Sequence, residues 1–179
     1  MQAQDILHFW FDELTATQRF TKDPALDAMM RVRFGVVLVA ASRGELFAWR
    51  TSPHGRLAEI IVLDQFSRNI HRDTAAAFAQ DAQALTLAQE LVASGQDYVL
   101  EAARRAFAYM PYMHSESPLI HVQAVALFSQ PGMEGTLAFE HRHKAIIDQF
   151  GRFPHRNAIM GRVSTPAELD FLQQPGSAF

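Results

Sequence analysis

The chain carries one nine-residue pattern twice, and we expect the fold to be organised around it. Residues 64–72 read DQFSRNIHR and residues 148–156 read DQFGRFPHR, with six of the nine positions identical. Each copy places an acid, an amide, two arginines and a histidine beside an aromatic ring. So many polar groups next to apolar segments are typical of a functional site or of a buried polar network. The two copies also suggest an internal duplication, although a helix-ending turn that arose twice would give the same pattern.

The segments between and around the two copies have a helical pattern. Apolar residues recur at a period close to 3.6, and glycine and proline fall between the apolar segments. Asp-Pro at 23–24 and Ser-Pro at 52–53 and 117–118 each indicate a helix start, because proline is favoured directly after a capping residue. We therefore predict an all-α protein of about eight helices, stacked as antiparallel αα-hairpins in a single domain over residues 1–179.

The bounds of the predicted helices follow from these start signals and from the residues that end helices. Gly44 and Gly95 stand where a helix-ending residue needs positive φ, and residues 165–168 form a capping box. The predicted helices cover residues 4–13, 24–43, 53–66, 74–94, 97–110, 118–128 and 134–150, followed by a short last helix after residue 165. The first motif copy is thus expected where a helix ends and runs into a loop.

The composition excludes several classes of protein. An apolar fraction of 49% and a charged fraction of 20% are typical of a soluble globular protein, and a net charge of -3 gives no general attraction to nucleic acid or to an anionic membrane. The absence of cysteine excludes disulfides, iron–sulfur clusters and thiolate metal sites. The sequence shows no signal peptide and no apolar run of membrane-spanning length. We expect a cytoplasmic protein.

Arginine carries almost all of the positive charge. Of the 16 basic residues, only Lys22 and Lys144 are lysines. A guanidinium group makes paired hydrogen bonds with a carboxylate or a phosphate, and it tolerates burial in pairs better than an ammonium group does. The arginine-rich motif copies therefore predict either a network of ion pairs or a site for an anion.

Each motif copy also contains an acid and an arginine four residues apart, which can pair on one face of a helix. This spacing holds for Asp64 with Arg68 and for Asp148 with Arg152. The second copy continues through residues 152–162, where three arginines, a histidine and an asparagine could surround a phosphate or a carboxylate. The sequence favours neither the structural network nor the ligand site over the other.

Residues 109–117, which read YMPYMHSES, form the other dense polar stretch. His114 beside Ser115 and Glu116 suggests a general acid/base with a nearby carboxylate. Neighbours in sequence rarely form a catalytic triad, so Ser115 or Ser117 as the cap of the following helix is the favoured interpretation.

The sequence predicts no metal and no cofactor. His141 and His143 point to different faces of a helix, and the zinc-protease pattern His-Glu-x-x-His is absent. Convergence of His114, His143 and His155 in three dimensions stays open. No glycine-rich loop of the kind that binds nucleotide phosphates is present.

Five motifs in order resemble those of domain-of-unknown-function family 924, a bacterial, TPR-like helical family. The stretches are ILHFWF at 6–11, KDPALD at 22–27 with GEL at 44–46, LDQFSRN at 63–69, YMPYMHSE at 109–116 and FGRFPHRN at 150–157. His143 best matches a histidine that precedes the last of these blocks in the family. Ser67 stands where proline is common, and Ser117-Pro118 where an acid often follows. The resemblance implies stacked αα-hairpins and supplies no reaction and no catalytic residues.

We favour a binding protein that holds a peptide or an acidic small molecule in an arginine- and histidine-rich pocket formed by both motif copies. This hypothesis requires that the arginines converge on one cavity without being saturated by carboxylates. The candidate ligand-binding residues are Asp64, Gln65, Arg68, Asn69, Arg72, His114, Ser115, Glu116, His143, Arg152, His155, Arg156, Asn157 and Arg162.

Two alternatives remain. The first is an enzyme, a hydrolase or transferase acting on an anionic metabolite. In this enzyme His114 or His155 would be the general acid/base, with Glu116 or Asp64 as the orienting carboxylate. The second is a purely structural role, in which the polar motifs join the helical layers and the function lies in homo-oligomerisation. We expect no nucleic-acid or membrane partner in any of the three cases.

Overall fold

A computed structural model describes residues 1–178 as helices joined by short turns, with no β-strand among them. The prediction of an all-α protein is therefore confirmed. The α-helices are α1 (Ala3–His8), α2 (Ala16–Phe20), α3 (Pro24–Ser42), α4 (Pro53–Ile61), α5 (Ser67–Ile70), α6 (Asp81–Ala93), α7 (Ala102–Met113), α8 (Pro118–Phe128), α9 (Glu134–Phe150) and α10 (Pro166–Leu172). None of the helices within residues 1–178 is both long and apolar enough to cross a membrane.

Several helices begin where the capping signals predict. The Asp23 side chain accepts hydrogen bonds from the first backbone N–H groups of α3, and Ser52 accepts one from Gly55 at the start of α4. Thr165 and Glu168 form the predicted capping box of α10. These signals are reliable because a cap is a contact between residues two or three positions apart.

The helical segment that carries the first motif copy ends at Ile70 rather than at Phe66, so this copy does run from a helix into a turn, but four residues later than predicted. α4 continues through a π-helical turn, Val62–Phe66, directly into α5. All five residues of this turn are buried. A π-helical turn is a widened turn of helix and is often found at functional sites. It places Asp64 and Gln65 in the interior of the protein.

Three other predicted bounds differ from the structure. The helix expected from residue 97 begins only at Ala102, after a 3-10 turn at Gln96–Val99. The helix expected from residue 74 is a 3-10 turn, Ala75–Phe78, followed by α6 from Asp81. The Thr74 hydroxyl donates to the carbonyl oxygen of His71 and caps no helix. The helix expected to stop before Pro111 continues to its end at Met113, because a proline in the last turn removes only one backbone hydrogen bond.

An aromatic cluster holds the first motif in place. The ring of Phe66 lies 4.8 Å from that of Phe34 on α3 and 5.7 Å from that of Trp10, and Phe9 lies 4.5 Å from Phe34. All four side chains are fully buried. Each such aromatic pair adds about 0.5–1.5 kcal/mol beyond its area burial. The cluster therefore anchors the turn at Val62–Phe66 between α3 and the π-helical segment Phe9–Glu13, which directly follows α1.

The C-terminal half contains a buried polar link between helices. α8 packs against α7 and α9. His121 on α8 makes a 2.7 Å hydrogen bond with Glu140 on α9, and its other ring nitrogen donates to the carbonyl oxygen of Ser115 at 2.8 Å. The side chains of His121 and Glu140 are fully buried. This link fixes the segment between α7 and α8, which contains the His114-Ser115-Glu116 stretch.

Candidate functional site

The two copies of the nine-residue pattern have different environments. The predicted pair of Asp64 and Arg68 is confirmed at 3.0 Å. The predicted pair of Asp148 and Arg152 is wrong, because Gly151 adopts positive φ and ends α9 between them. Asp148 is exposed and pairs with Lys144 at 2.6 Å. The similarity of the copies in sequence does not extend to their contacts.

Asp64 is the centre of the polar cluster. Its side chain is 1% exposed, accepts hydrogen bonds from His114 and Gln65, and forms an ion pair with Arg68. His114 Nδ1 lies 2.7 Å and Arg68 Nη1 lies 3.0 Å from Oδ1, while Gln65 Nε2 lies 2.5 Å from Oδ2. A buried carboxylate is stable only when such partners compensate for the water it has lost. The cluster joins the first motif copy to the end of α7.

The electrostatics of this cluster set the protonation states of Asp64 and His114. Burial alone would raise the pKa of Asp64, but the charge of Arg68 and the contact with His114 hold it well below its usual range. Burial and the charge of Arg68 together lower the pKa of His114, against the opposing effect of Asp64. At neutral pH an ionised Asp64 therefore accepts the Nδ1–H of a neutral His114, and Nε2 keeps its lone pair.

His114 opens onto a cleft of about 320 Å³. This volume lies near the lower limit of about 300–1,000 Å³ found for small-molecule sites. One wall comes from the 3-10 turn and α6, and the opposite wall comes from the end of α7 and from residues 156–160. The cleft is lined by Phe78, Ala79, Asp81, Ala82, Leu85, Pro111, His114, Ser115, Glu116, Arg156 and Met160.

Arg156, from the second motif copy, is a buried cation in the lining of the cleft. Its guanidinium carbon lies 4.5 Å from the ring centre of Phe78 and 4.6 Å from that of Phe153. Burial, together with the nearby charge of Arg68, lowers its pKa to about 10, so the group stays protonated at neutral pH. Nη1 lies 3.3 Å from Asp81, and Nε has no hydrogen-bond acceptor within residues 1–178. Arg156 therefore has donors that the described residues do not fully use.

The acids in the cleft lining each have an arginine of their own. Asp81 accepts two hydrogen bonds from Arg68, at 2.9 and 3.0 Å. Glu116 accepts two from Arg162, at 2.6 and 2.9 Å. Burial would raise the pKa of Glu116, but Arg162 and a backbone N–H group lower it overall. Glu116 is therefore an ionised partner of Arg162, and Asp64 is the carboxylate that orients His114.

Ser115 lines the cleft beside His114, but its hydroxyl has another role. Ser115 Oγ accepts a hydrogen bond from the backbone N–H of Ser117 at 3.2 Å, and the Ser117 side chain caps no helix. The favoured interpretation, in which Ser115 or Ser117 caps α8, is therefore wrong: Ser117 holds the cap position without a side-chain hydrogen bond, and Ser115 closes a turn before it. The described residues give no Ser–His hydrogen bond of the kind that activates a nucleophilic serine.

His143 and His155 flank the same aromatic ring. Their rings lie 5.8 and 5.7 Å from Phe153, and the His143 ring lies 6.4 Å from that of His114. Burial lowers the pKa of His143 to about 3 and, together with the charge of Arg156, that of His155 to about 4. All three histidines are therefore neutral at pH 7. Within residues 1–178, no group of three or more His, Asp or Glu side chains is placed to hold a metal ion.

Of the fourteen candidate residues, ten are not in the cleft lining as far as residues 1–178 show, and four of these ten bind partners away from the cleft. Asn69 and Arg72 both bind Asp27 on α3, at distances of 2.5–2.9 Å. Arg152 binds Glu168 on α10 at 2.6 and 2.8 Å. Asn157 is buried and donates to Ser164 at 3.0 Å. These contacts join helices and turns to one another.

Two residues of the site carried no signal in the sequence. Phe78 and Asp81 lie inside the segment that was predicted as one helix from residue 74, where an acid is ordinary. Asp81 is the first residue of α6, and an acid is favoured in the first turn of a helix. An acid at position 81 can be recognised as a first-turn residue only if the start of α6 is predicted correctly.

The fold and the cleft define a class of all-helical protein with a compact polar site between α6, the end of α7 and the segment after α9. The model of a family described as "Bacterial protein of unknown function (DUF924)" matches residues 6–176, and the chain belongs to this family. The chain is also similar to the solved structure of ATU0120, a protein of unknown function from Agrobacterium tumefaciens. The two are 37% identical over 96% of each chain, with a TM-score of 0.90. No curated protein matches the sequence.

Proposed function

We propose that the cleft binds a small molecule with a carboxylate or phosphate group and that His114 acts on it as a general acid/base. The protein would then be an enzyme of the hydrolase or transferase type. The observation that carries this proposal is the 2.7 Å hydrogen bond between the buried Asp64 and His114, whose side chain is 15% exposed at the edge of the cleft. A histidine held by a carboxylate, with its second nitrogen available to substrate, is suited to proton transfer.

Asp64 has two roles in this proposal. Its hydrogen bond to Nδ1 fixes the tautomer and the ring orientation of His114, so that Nε2 is the basic atom. When Nε2 takes a proton from water or from a substrate hydroxyl, the ionised Asp64 stabilises the imidazolium that forms. Arg68 has the opposite effect, because its charge disfavours the imidazolium and keeps His114 in its basic form at neutral pH.

Arg156 is the proposed anchor for the anionic group. Asp81 and Glu116 are each paired with another arginine, so Arg156 shares an acid that Arg68 already binds through two hydrogen bonds. The rings of Phe78 and Phe153, whose centres lie 4.5 and 4.6 Å from its guanidinium carbon, hold the group in place at the cleft.

These contacts favour the enzyme over the open arginine-lined groove of the binding hypothesis. Arg72, Arg152 and Arg162 each make paired hydrogen bonds with a carboxylate, which is the arrangement that the binding hypothesis excludes. The cleft volume of about 320 Å³ suits a small molecule better than an extended peptide.

The anchor is tested by titrating the protein with inorganic phosphate and with acetate while the shift of the His114 Cε1–H resonance is followed by NMR. We expect a saturable shift in the wild type and at least ten-fold weaker binding in Arg156→Met. Arg104→Met is the matched control, because Arg104 also stacks on a ring, that of Phe11, but lies outside the cleft lining. Equal affinity in Arg156→Met and the wild type would remove Arg156 from the proposal.

The chemistry is tested with p-nitrophenyl phosphate and p-nitrophenyl acetate as chromogenic substrates. General acid/base catalysis contributes about 10²–10⁴-fold, so His114→Gln is expected to lower kcat by at least about 100-fold. His141→Gln, at an exposed position of α9, is the control and is expected to keep the wild-type rate. If the His114→Gln variant turns over a substrate as fast as the wild type, His114 is not the general acid/base. If the wild type turns over neither substrate, the result also counts against the enzyme.

A further inference from the structure

The outer face of α3 carries an apolar stripe that nothing in residues 1–178 covers. Met29, Val32, Val36 and Val39 are 38%, 88%, 86% and 48% exposed. Their spacing of three, four and three residues places them on one line along the helix. Single exposed apolar residues are ordinary, but a continuous line of them along the longest helix marks an interaction surface.

The sequence of this face is poorly suited to an exposed helix. Val32 and Val36 are β-branched, and Gly35 between them is the least favourable helix residue after proline. A Cβ atom at Gly35 would meet nothing within 4 Å, so no contact within the described chain requires a glycine there. A glycine on an exposed helix face allows another backbone to come close. Exposed valines and a glycine on α3 are expected if a second helix packs against this face.

We propose that the second helix is α3 of another copy of this chain, packed antiparallel about a two-fold axis. A two-fold interface must be self-complementary, so that each contact is made twice. An axis between positions 32 and 36 places Val32 opposite Val36 of the second copy and Met29 opposite Val39. The stripe is then covered along its whole length by itself.

The charges on this face fit an antiparallel pair. Near the axis, the exposed Arg33 is already neutralised by Glu13 through two hydrogen bonds of 2.6 and 2.8 Å, so two copies can approach without repulsion. At the ends of the stripe, Asp23 begins α3 and Arg43 directly follows it. On this axis position 23 faces position 45, so Lys22 and Asp23 of one copy lie beside Arg43 and Glu45 of the other, and opposite charges can pair at both ends. Parallel packing would place each charge opposite its own copy.

The size of the face sets the expected strength of the dimer. α3 has 19 residues, so the contact is about 28 Å long at a rise of 1.5 Å per residue. One helix face of this length buries less than the roughly 800 Å² per partner of a standard interface. A concentration-dependent dimer with a Kd on the order of micromolar is therefore expected rather than a permanent one.

Sedimentation velocity over a concentration series tests the proposal. We expect the wild-type sedimentation coefficient to rise from the monomer value to the dimer value, and Val36→Glu to weaken association at least ten-fold. Val163→Glu is the matched control, because Val163 is 87% exposed but lies outside α3. A wild type that stays monomeric up to about 200 μM, far above the expected Kd, would overturn the proposal. So would a dimer that Val36→Glu leaves unchanged.

Cross-linking tests the antiparallel register. The chain has no cysteine, so an introduced thiol is the only one present. Under mild oxidation, a mixture of Val32→Cys and Val36→Cys chains is expected to give mainly the mixed disulfide, because those two positions face each other. If each variant cross-links mainly with itself, the antiparallel packing is wrong. The proposed dimer is independent of the chemistry in the cleft.

Discussion

Replacing Arg68 by methionine separates the structural contribution of the polar cluster from its chemical one. Arg68 makes paired hydrogen bonds with Asp81 and lies 3.0 Å from Asp64, whose side chain is 1% exposed. Methionine keeps much of the side-chain volume and removes the charge. Asp64 would then be a buried carboxylate held only by His114 and Gln65.

The size of the expected effect follows from this burial. Removing one partner of a buried ion pair costs about 3–5 kcal/mol, because the remaining charge is left without compensation. In a chain of 179 residues this corresponds to a fall in Tm of roughly 6–20 °C, at about 2–4 °C for each kcal/mol. The pKa of His114 should rise at the same time, because Arg68 is one of the causes that lower it.

Urea unfolding at pH 7 measures the loss of stability, and NMR titration measures the pKa of His114. Arg142→Met is the control: Arg142 is exposed on α9, so its loss should change the stability by no more than about 0.5 kcal/mol. The double variant Asp64→Asn with Arg68→Met should recover part of the loss, because it removes the uncompensated charge. A single variant within about 1 kcal/mol of the wild type would refute this reasoning. It would indicate that the arginine is kept for function at the expense of stability.

Further predictions concern backbone packing and pH. Gly55→Ala should destabilise the fold by about 1–3 kcal/mol, because a Cβ atom at this position would overlap the carbonyl oxygen of Trp49. Gly135→Ala, at an open position of α9, is the control and should be neutral or stabilising. Thermal unfolding of both variants measures the difference. Burial holds the pKa of His143 at about 3, against about 6.5 in the unfolded chain. The unfolded state therefore binds a proton that the folded state does not, and stability should fall as the pH decreases from about 6.5. Urea unfolding at pH 7, 6 and 5 should show a smaller loss of stability for His143→Phe than for the wild type. An equal loss in both proteins would show that His143 is not the group responsible.

The sequence predicts those parts of the fold that depend on local contacts. The helices that start at Pro24, Pro53 and Pro166 each follow directly on a capping residue, which binds an N–H group two or three residues further along, so these starts can be recognised without knowledge of the tertiary structure. A pairing predicted from residue spacing fails where the helix ends between the two residues. The spacing of Asp148 and Arg152 predicts a pair, yet Gly151 between them ends α9 and turns Arg152 toward α10.

The site is only partly predictable, for a related reason. The motifs identify Asp64, His114 and Arg156 as candidates, because each belongs to a dense polar stretch. That Asp64 rather than Glu116 binds His114 depends on the packing of the π-helical turn against α7, 50 residues further along the chain. Asp81 enters the site through the same packing and has no pattern of its own in the sequence.

The π-helical turn at Val62–Phe66 lets the chain hold one extra residue without changing the direction in which the later residues face. A π-helical turn contains about one residue more than an α-helical turn, so this segment corresponds to an α-helix with one insertion. Deleting one of its five residues would restore a regular helix. The residues after the deletion would keep their orientation, because an α-helical turn covers the same rotation with one residue fewer. Arg68 would still face Asp81, and the change would be confined to the turn that carries Asp64 and Gln65.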